Sequence, residues 1–208
     1  MGGPDPRALM GSPEKTALLI VDMQNDFVRP GAALATPNGL AVVPVIAALA
    51  REARRKRFPV IYTQEMHRPE MTDYGIEGHF EPPHCLEGTD GAEVVEGLEP
   101  QPGDIRIQRK RRYDAFLGTD LDLVLRGLGI ANLLVTGVCT DICVISTVQH
   151  ARNLDFRCFV IEEGVDGTSP ERHRAALLCM SHVFAYVGHM AEIAAMFGMS
   201  LEVTEPAS

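Results

Sequence analysis

The sequence predicts an α/β fold: three layers, α/β/α, built on a mostly parallel sheet of about six strands. Two observations predict it. Short, almost unbroken apolar runs such as "TALLIVD" (16–22) and "ANLLVTGV" (131–138) recur along the chain, as strands buried on both faces do. Segments with helical periodicity alternate with them, and strand–helix alternation means parallel pairing. The 208 residues, 46% hydrophobic and 23% charged, are ordinary for a globular protein and enough to bury such a sheet.

In order along the chain, residues 1 to about 14 are rich in Gly and Pro and are expected to form a disordered tail before a single domain over 15–208. The first strand is "TALLIVD", the first long helix 38–57, and the second strand "FPVIYTQ" (58–64). Residues 65–103, dense in Gly, Pro and His, form too long an irregular stretch for a plain connection, which points to a functional loop. "GDIRIQR" (103–109) reads as the third strand, and 119–129 as a helix capped by Thr119 and closed by glycine. "ANLLVTGV" is the fourth strand, followed by a helix over 141–154. The fifth strand is 156–165, and the next helix begins at Ser169 with Pro170 in its first turn. A sixth strand over 183–188 and a final helix over 189–198 complete the series.

A net charge of −9 argues against a nucleic-acid partner, and no apolar run is long enough to span a membrane. The basic run at 51–57 reads as a solvated helix end. The N-terminus lacks a signal-like apolar core, so the expectation is a cytoplasmic protein whose five cysteines are free thiols.

Ligands of open parallel sheets bind beyond the carboxyl ends of the strands. That rule selects Asp22 after the first strand, Lys110 just past the third and Cys143 one turn into the helix after the fourth. Taken singly, each has an ordinary reading: a turn residue, a surface charge, a small buried apolar side chain. Together they form an acid, a cation and a thiol on one sheet edge. A cation and a helix N-terminus lower a thiol pKa, and a carboxylate can take the thiol proton and return it to a leaving amine. Backbone N–H groups of "GVCTDIC" (137–143) can hold an oxyanion. Cys139 and Cys143 lack the further pair a structural zinc needs, and a disulfide between them would compete with the helix. Cys139 is therefore expected to pack beside the site.

The segments "ALLIVDMQNDF" (17–27), "KRRYDAFLGTDLD" (110–122) and "TGVCTDICV" (136–144) resemble the isochorismatase-like cysteine hydrolases, from about Thr16 to Ile193. The resemblance implies a catalytic triad of Asp22, Lys110 and Cys143. It also implies a cis peptide at Val138–Cys139 and an oxyanion hole from the backbone N–H groups of Cys139 and Cys143. Members that hydrolyse the vinyl ether of isochorismate generally lack the cysteine, so the implied reaction is hydrolysis of a small amide, carbamoyl or ureide C–N bond. A homo-oligomer, dimer or tetramer, is implied as well.

"PPHCLEGTDGAE" (82–93) resembles the nicotinamidase segment that carries a metal-binding His at His84, with Glu65 and His67 at the other ligand positions. Two departures argue against that activity. The ring-stacking Trp is replaced by Glu81, and the spacing from Lys110 to Phe116 is short. The expectation is therefore no metal and no cofactor, with a linear carbamoyl substrate preferred, and His67 and His84 hydrogen-bonding within the loop. Phe27, Arg68, Tyr113 and Phe116 are the candidates for lining the pocket. The alternatives are a nicotinamidase-type, metal-assisted amidase and a non-catalytic or redox-responsive binding protein on the same fold.

Overall fold

Six strands form one sheet in the computed structural model, which describes residues 5–200. They are Thr16–Val21 (β1), Val60–Glu65 (β2), Ile105–Lys110 (β3), Asn132–Val138 (β4), Arg157–Asp166 (β5) and Ala185–Gly188 (β6). Every neighbouring pair is parallel, in the order β3-β2-β1-β4-β5-β6. The chain winds outward from β1 in one direction and from β4 in the other. The crevice at the carboxyl ends of β1 and β4 is thus the switch point where such sheets bind ligands.

Seven α-helices accompany the strands among the described residues: Pro6–Met10 (α1), Asn25–Val28 (α2), Gly39–Arg55 (α3), Leu121–Gly127 (α4), Ile145–Asn153 (α5), Pro170–Val183 (α6) and Met190–Met196 (α7). Side chains alternate across β1. Leu18 and Ile20 share one core with Val42, Ile46 and Leu49 of α3, whereas Ala17, Leu19 and Val21 share the other with Leu121, Leu125 and Val148. Each fully buried Leu or Ile contributes about 1.5–3 kcal/mol relative to an exposed one, so both faces of β1 anchor a layer. No described helix is long and apolar enough to cross a membrane.

Three local departures from the sequence reading matter. In the N-terminal stretch expected to lack structure, Pro6–Met10 form a short helix. Asp5 accepts from the Arg7 N–H there, and Pro6 supplies a preset first turn. Residues 1–4 of that stretch, and 201–208 of the domain, lie outside the described residues. Lys110 is the last residue of β3 rather than beyond it. Pairing between β2 and β3 slips between Thr63 and Glu65, near Arg109 in left-handed backbone (φ 62°). Ile107 and Lys110 are therefore both buried while Gln108 and Arg109 between them are exposed. After the cis peptide Val138–Cys139, residues Thr140–Val144 wind as a π-helical turn, so Cys143 precedes α5 instead of lying within it.

Gly137 shows how closely β1 and β4 approach at the crevice. Its φ is +111°, and a Cβ there would lie 2.0 Å from the Val21 carbonyl oxygen. Both the left-handed region and the rigid backbone neighbour exclude a side chain. Gly137→Ala is expected to destabilise the fold by more than about 3 kcal/mol, a fall in Tm of roughly 10 °C, measurable by thermal unfolding. A near-native Tm would contradict this packing.

Candidate active site

Asp22 directly follows β1, and its backbone is left-handed (φ 47°), a region that Asp tolerates better than most residues. Lys110, ending β3, lies across β2 from it. Both side chains are fully buried, and the Lys110 Nζ is 2.9 Å from Asp22 Oδ2. The same ammonium donates to Glu65 Oε2 at 2.7 Å and to Cys143 Sγ at 3.8 Å. Thr63 of β2 orients the acid: its hydroxyl donates to Asp22 Oδ1 (2.6 Å) and accepts from the Asp22 N–H (3.1 Å). The structure thus brings Asp22, Lys110 and Cys143 together. It adds Glu65, which the sequence had suggested only as a metal-ligand position, and Thr63, which no motif marked.

Burial sets the protonation of this group. It pushes the Asp22 carboxyl up against the pull of Lys110, with Glu65 adding to the rise. Burial alone would lower the Lys110 ammonium, yet Asp22, Cys143 and Glu65 hold it well above the ordinary lysine range. The Cys143 thiol is pushed well up by burial, only partly countered by Lys110. The lowered thiol pKa expected from sequence is therefore not found: full burial and two nearby carboxylates outweigh the cation. At rest the thiol keeps its proton, beside a carboxyl made more basic than usual.

A second cluster shares Glu65. Its Oε1 lies 3.0 Å from His67 Nε2 and 3.3 Å from His84 Nε2. Glu77 Oε1 faces the same two nitrogens at 3.7 and 3.5 Å. The Glu77 carboxylate is buried, and among the described residues neither of its oxygens has a hydrogen-bond partner, with Arg112 Nη1 3.9 Å from Oε2. The four side chains offer one ligand atom each, all within 4.8 Å of one another. His67 and His84 do hydrogen-bond within the loop, as expected. Even so, an orphaned carboxylate converging with two imidazoles and a second carboxylate is a donor set that fits a divalent transition-metal ion. Glu77 lies in a stretch without periodicity, and no sequence signal singled it out.

A cavity of ≈ 190 Å³ opens onto Cys143, lined by apolar Phe27, Leu34 and Ile142 and by Glu65, Glu81, His84, Tyr113, Cys139 and Thr168 among others. Of the four candidates for the pocket, Phe27 and Tyr113 line it. Arg68 does not: its side chain is 56% exposed and reaches toward Asp73. Phe116 does not either, being buried between His150 and Phe156, with ring centroids 5.0 and 6.0 Å away. Leu34, Ile142 and Thr168 were not marked by the sequence.

Against known proteins, the isochorismatase domain profile matches residues 16–192. A ureidoacrylate amidohydrolase of Methylobacterium radiotolerans is 31% identical over 219 residues, 94% of this chain and 84% of the relative. Among solved structures, an isochorismatase family protein from Desulfovibrio vulgaris superposes with a TM-score of 0.83 at 31% identity, covering 88% of this chain and 98% of that one. A pyrazinamidase of Pyrococcus horikoshii in complex with zinc gives 0.77 at 31% identity, covering 85% and 99%.

Two outcomes follow from the geometry. Lys110→Met strands two buried carboxylates, a loss of about 3–5 kcal/mol by the usual cost of breaking a buried pair. In the wild type, the lowered Glu65 pKa gives stability that is present above the ordinary Glu pKa and lost as pH falls through the folded value. Without Lys110 that carboxyl is pushed up instead, so the deficit should be largest near neutral pH and shrink as pH falls. Urea unfolding at pH 7 and pH 5 would show it; an equal deficit at both would contradict the ion pairing. Separately, chelator-stripped protein dialysed against Zn²⁺ is expected to take up one ion per chain, and Glu77→Gln to weaken uptake by about tenfold. No uptake would mean that hydrogen bonds and protons alone satisfy the cluster.

Proposed function

Because the chain belongs to the isochorismatase family, we propose that it is a hydrolase cleaving a C–N bond of a small amide or ureide through a covalent intermediate on Cys143. The observation that carries this reading is one ammonium, Lys110 Nζ, within 2.9 Å of an acid and 3.8 Å of a thiol that lines a cavity. Names of amidohydrolase relatives support the reaction class.

The chemistry then runs on these side chains. Asp22, its basicity raised by burial, takes the Cys143 proton as sulfur attacks the substrate carbonyl. Lys110 stabilises the negative charge passing between thiol and carboxylate without giving up its own proton, since its pKa is held high. Backbone N–H groups of Cys139 and Cys143 stabilise the tetrahedral oxyanion. The C–N bond breaks, and Asp22 returns the proton to the departing ammonia or amine. What remains is a thioester, or a thiocarbamate from a ureide. Water, deprotonated by Asp22, attacks it, and the proton goes back to the sulfur as the acid product leaves.

One observation favours a second reading, a metal-assisted amidase: the cluster of Glu65, His67, Glu77 and His84 adjoins both Lys110 and the cavity. Those four residues would hold the ion, which supplies Lewis acidity toward a substrate lone pair. Against nicotinamide as that substrate stands Glu81 in the cavity wall, where the resemblance placed a stacking aromatic. A purely binding function leaves the buried acid, cation and thiol unexplained.

Cys143→Ala is expected to abolish ammonia release across a panel of small amides and ureides, by at least about 10³-fold, with Tm within a few degrees of wild type. Near-native turnover by that variant would remove the covalent mechanism. Adding chelator to the assay separates the two readings: persistent activity favours the metal-free one.

A further inference from the structure

The nucleophile turn carries an acid that the mechanism does not use. Asp141 accepts twice from Thr168, Oδ1 from its N–H at 2.8 Å and Oδ2 from its hydroxyl at 2.5 Å. Thr168, on the connection between β5 and α6, lines the cavity together with Cys143. The contact is closely packed, since a Cβ on Gly167 would lie 2.7 Å from Asp141 Oδ1.

A hydroxyl has one proton and two lone pairs. Thr168 gives its proton to Asp141, and Arg172 Nη1 donates to the same oxygen at 3.3 Å. One lone pair is left, so Thr168 can meet a ligand only as an acceptor. Glu81, also lining the cavity, accepts no hydrogen bond from the described residues and lies 3.9 Å from His84 Nε2. The His84 Nδ1 is engaged by the Pro82 carbonyl at 2.8 Å. Tyr113 can play either part. Beyond the N–H groups assigned to the oxyanion, the polar side chains of the cavity are thus weighted toward acceptors.

We propose that Asp141 is a positioning residue for specificity: by fixing the Thr168 hydroxyl as an acceptor, it selects substrates with an N–H beyond the scissile amide, as a ureide has. The proposal rests on the hydrolase reading above and narrows its substrate class. Recognition by an acceptor discriminates because a ligand oxygen in place of N–H would face the Thr168 lone pair, leaving both unsatisfied.

Propylurea and propyl carbamate test this, since they differ by N–H against O. Protection of Cys143 from iodoacetamide reads their binding without requiring turnover. It would be followed on the Cys143 peptide, because Cys179 is exposed and reacts as well. In wild type and Thr168→Ser, propylurea should protect at roughly tenfold lower concentration than propyl carbamate. Thr168→Val should lose most of that ratio. Asp141→Asn should lose it too, because the new amide can donate to Thr168 and turn its hydroxyl proton toward the cavity. For each variant the ratio is read against that variant's own alkylation rate without ligand. Equal protection by the two compounds in wild type, or an unchanged ratio in both variants, overturns the inference. A slowed alkylation with an unchanged ratio in Asp141→Asn does so as well, reducing Asp141 to a structural tie. None of these touches the hydrolase reading, which stands or falls on turnover by Cys143→Ala.

Discussion

The ammonium of Lys110 is wholly buried, and removing such an ion from water costs several kcal/mol even after relaxation. The site is arranged around meeting that cost. Asp22 and Glu65 flank the nitrogen at 2.9 and 2.7 Å, with the Cys143 sulfur at 3.8 Å. For these groups to meet one atom, the carboxyl ends of β1, β2 and β3 and the turn after β4 must sit at one level. Gln24 helps to hold them there. Its side-chain N–H groups donate to the Glu65 and Ala92 carbonyls (2.7 and 2.8 Å), and its Oε1 accepts from the Glu65 N–H at 2.7 Å. The "DMQNDF" segment thus supplies both the acid and the clamp that fixes the neighbouring strand.

Glu65 joins two electrostatic systems. One oxygen serves Lys110, and the other faces His67 and His84. Lys110 holds the Glu65 carboxyl well below its ordinary range against burial, aided by both histidines. Glu77, lacking such a cation in hydrogen-bond contact, is pushed up by burial and by Glu65 itself. Two glutamates a few ångströms apart therefore have opposite leanings, and Glu65 is the one that touches both the histidines and Lys110.

Strand and helix alternation was legible because β1, β2 and β4 are buried along their whole length, which leaves a short apolar run in each even though β2 closes on the polar Thr63, Gln64 and Glu65. Asp22, Lys110 and Cys143 were legible because strand ends and three separate motifs agree on them. The pocket wall was legible only in part: Phe27, Tyr113 and Glu81 were marked, whereas Thr168, and Glu77 of the adjoining cluster, were not. Those two come from connections whose course follows tertiary hydrogen bonds rather than periodicity, such as Thr168 to Asp141 and Tyr74 to His84. Phe116 was misplaced for a related reason: proximity to a motif does not say whether a side chain turns toward the cavity or, as here, into the core. The direction of the Cys143 shift was missed because a helix N-terminus and a cation are visible in sequence, whereas complete burial is a property of the assembled sheet.

The left-handed backbone at Arg109 acts like a frameshift in the alternation of β3. With strict alternation, Ile107 and residue 109 would share a face, and a guanidinium would be offered where the ammonium now stands. Removing one residue between Ile107 and Lys110 would let a regular strand carry the lysine on the buried face, yet about 3.3 Å short of its present place. A length change that any loop would absorb unnoticed would, at this strand end, draw the buried ammonium back from Asp22 and Cys143. The irregularity in β3 is thus a form of positional information, held in residue count rather than in residue type.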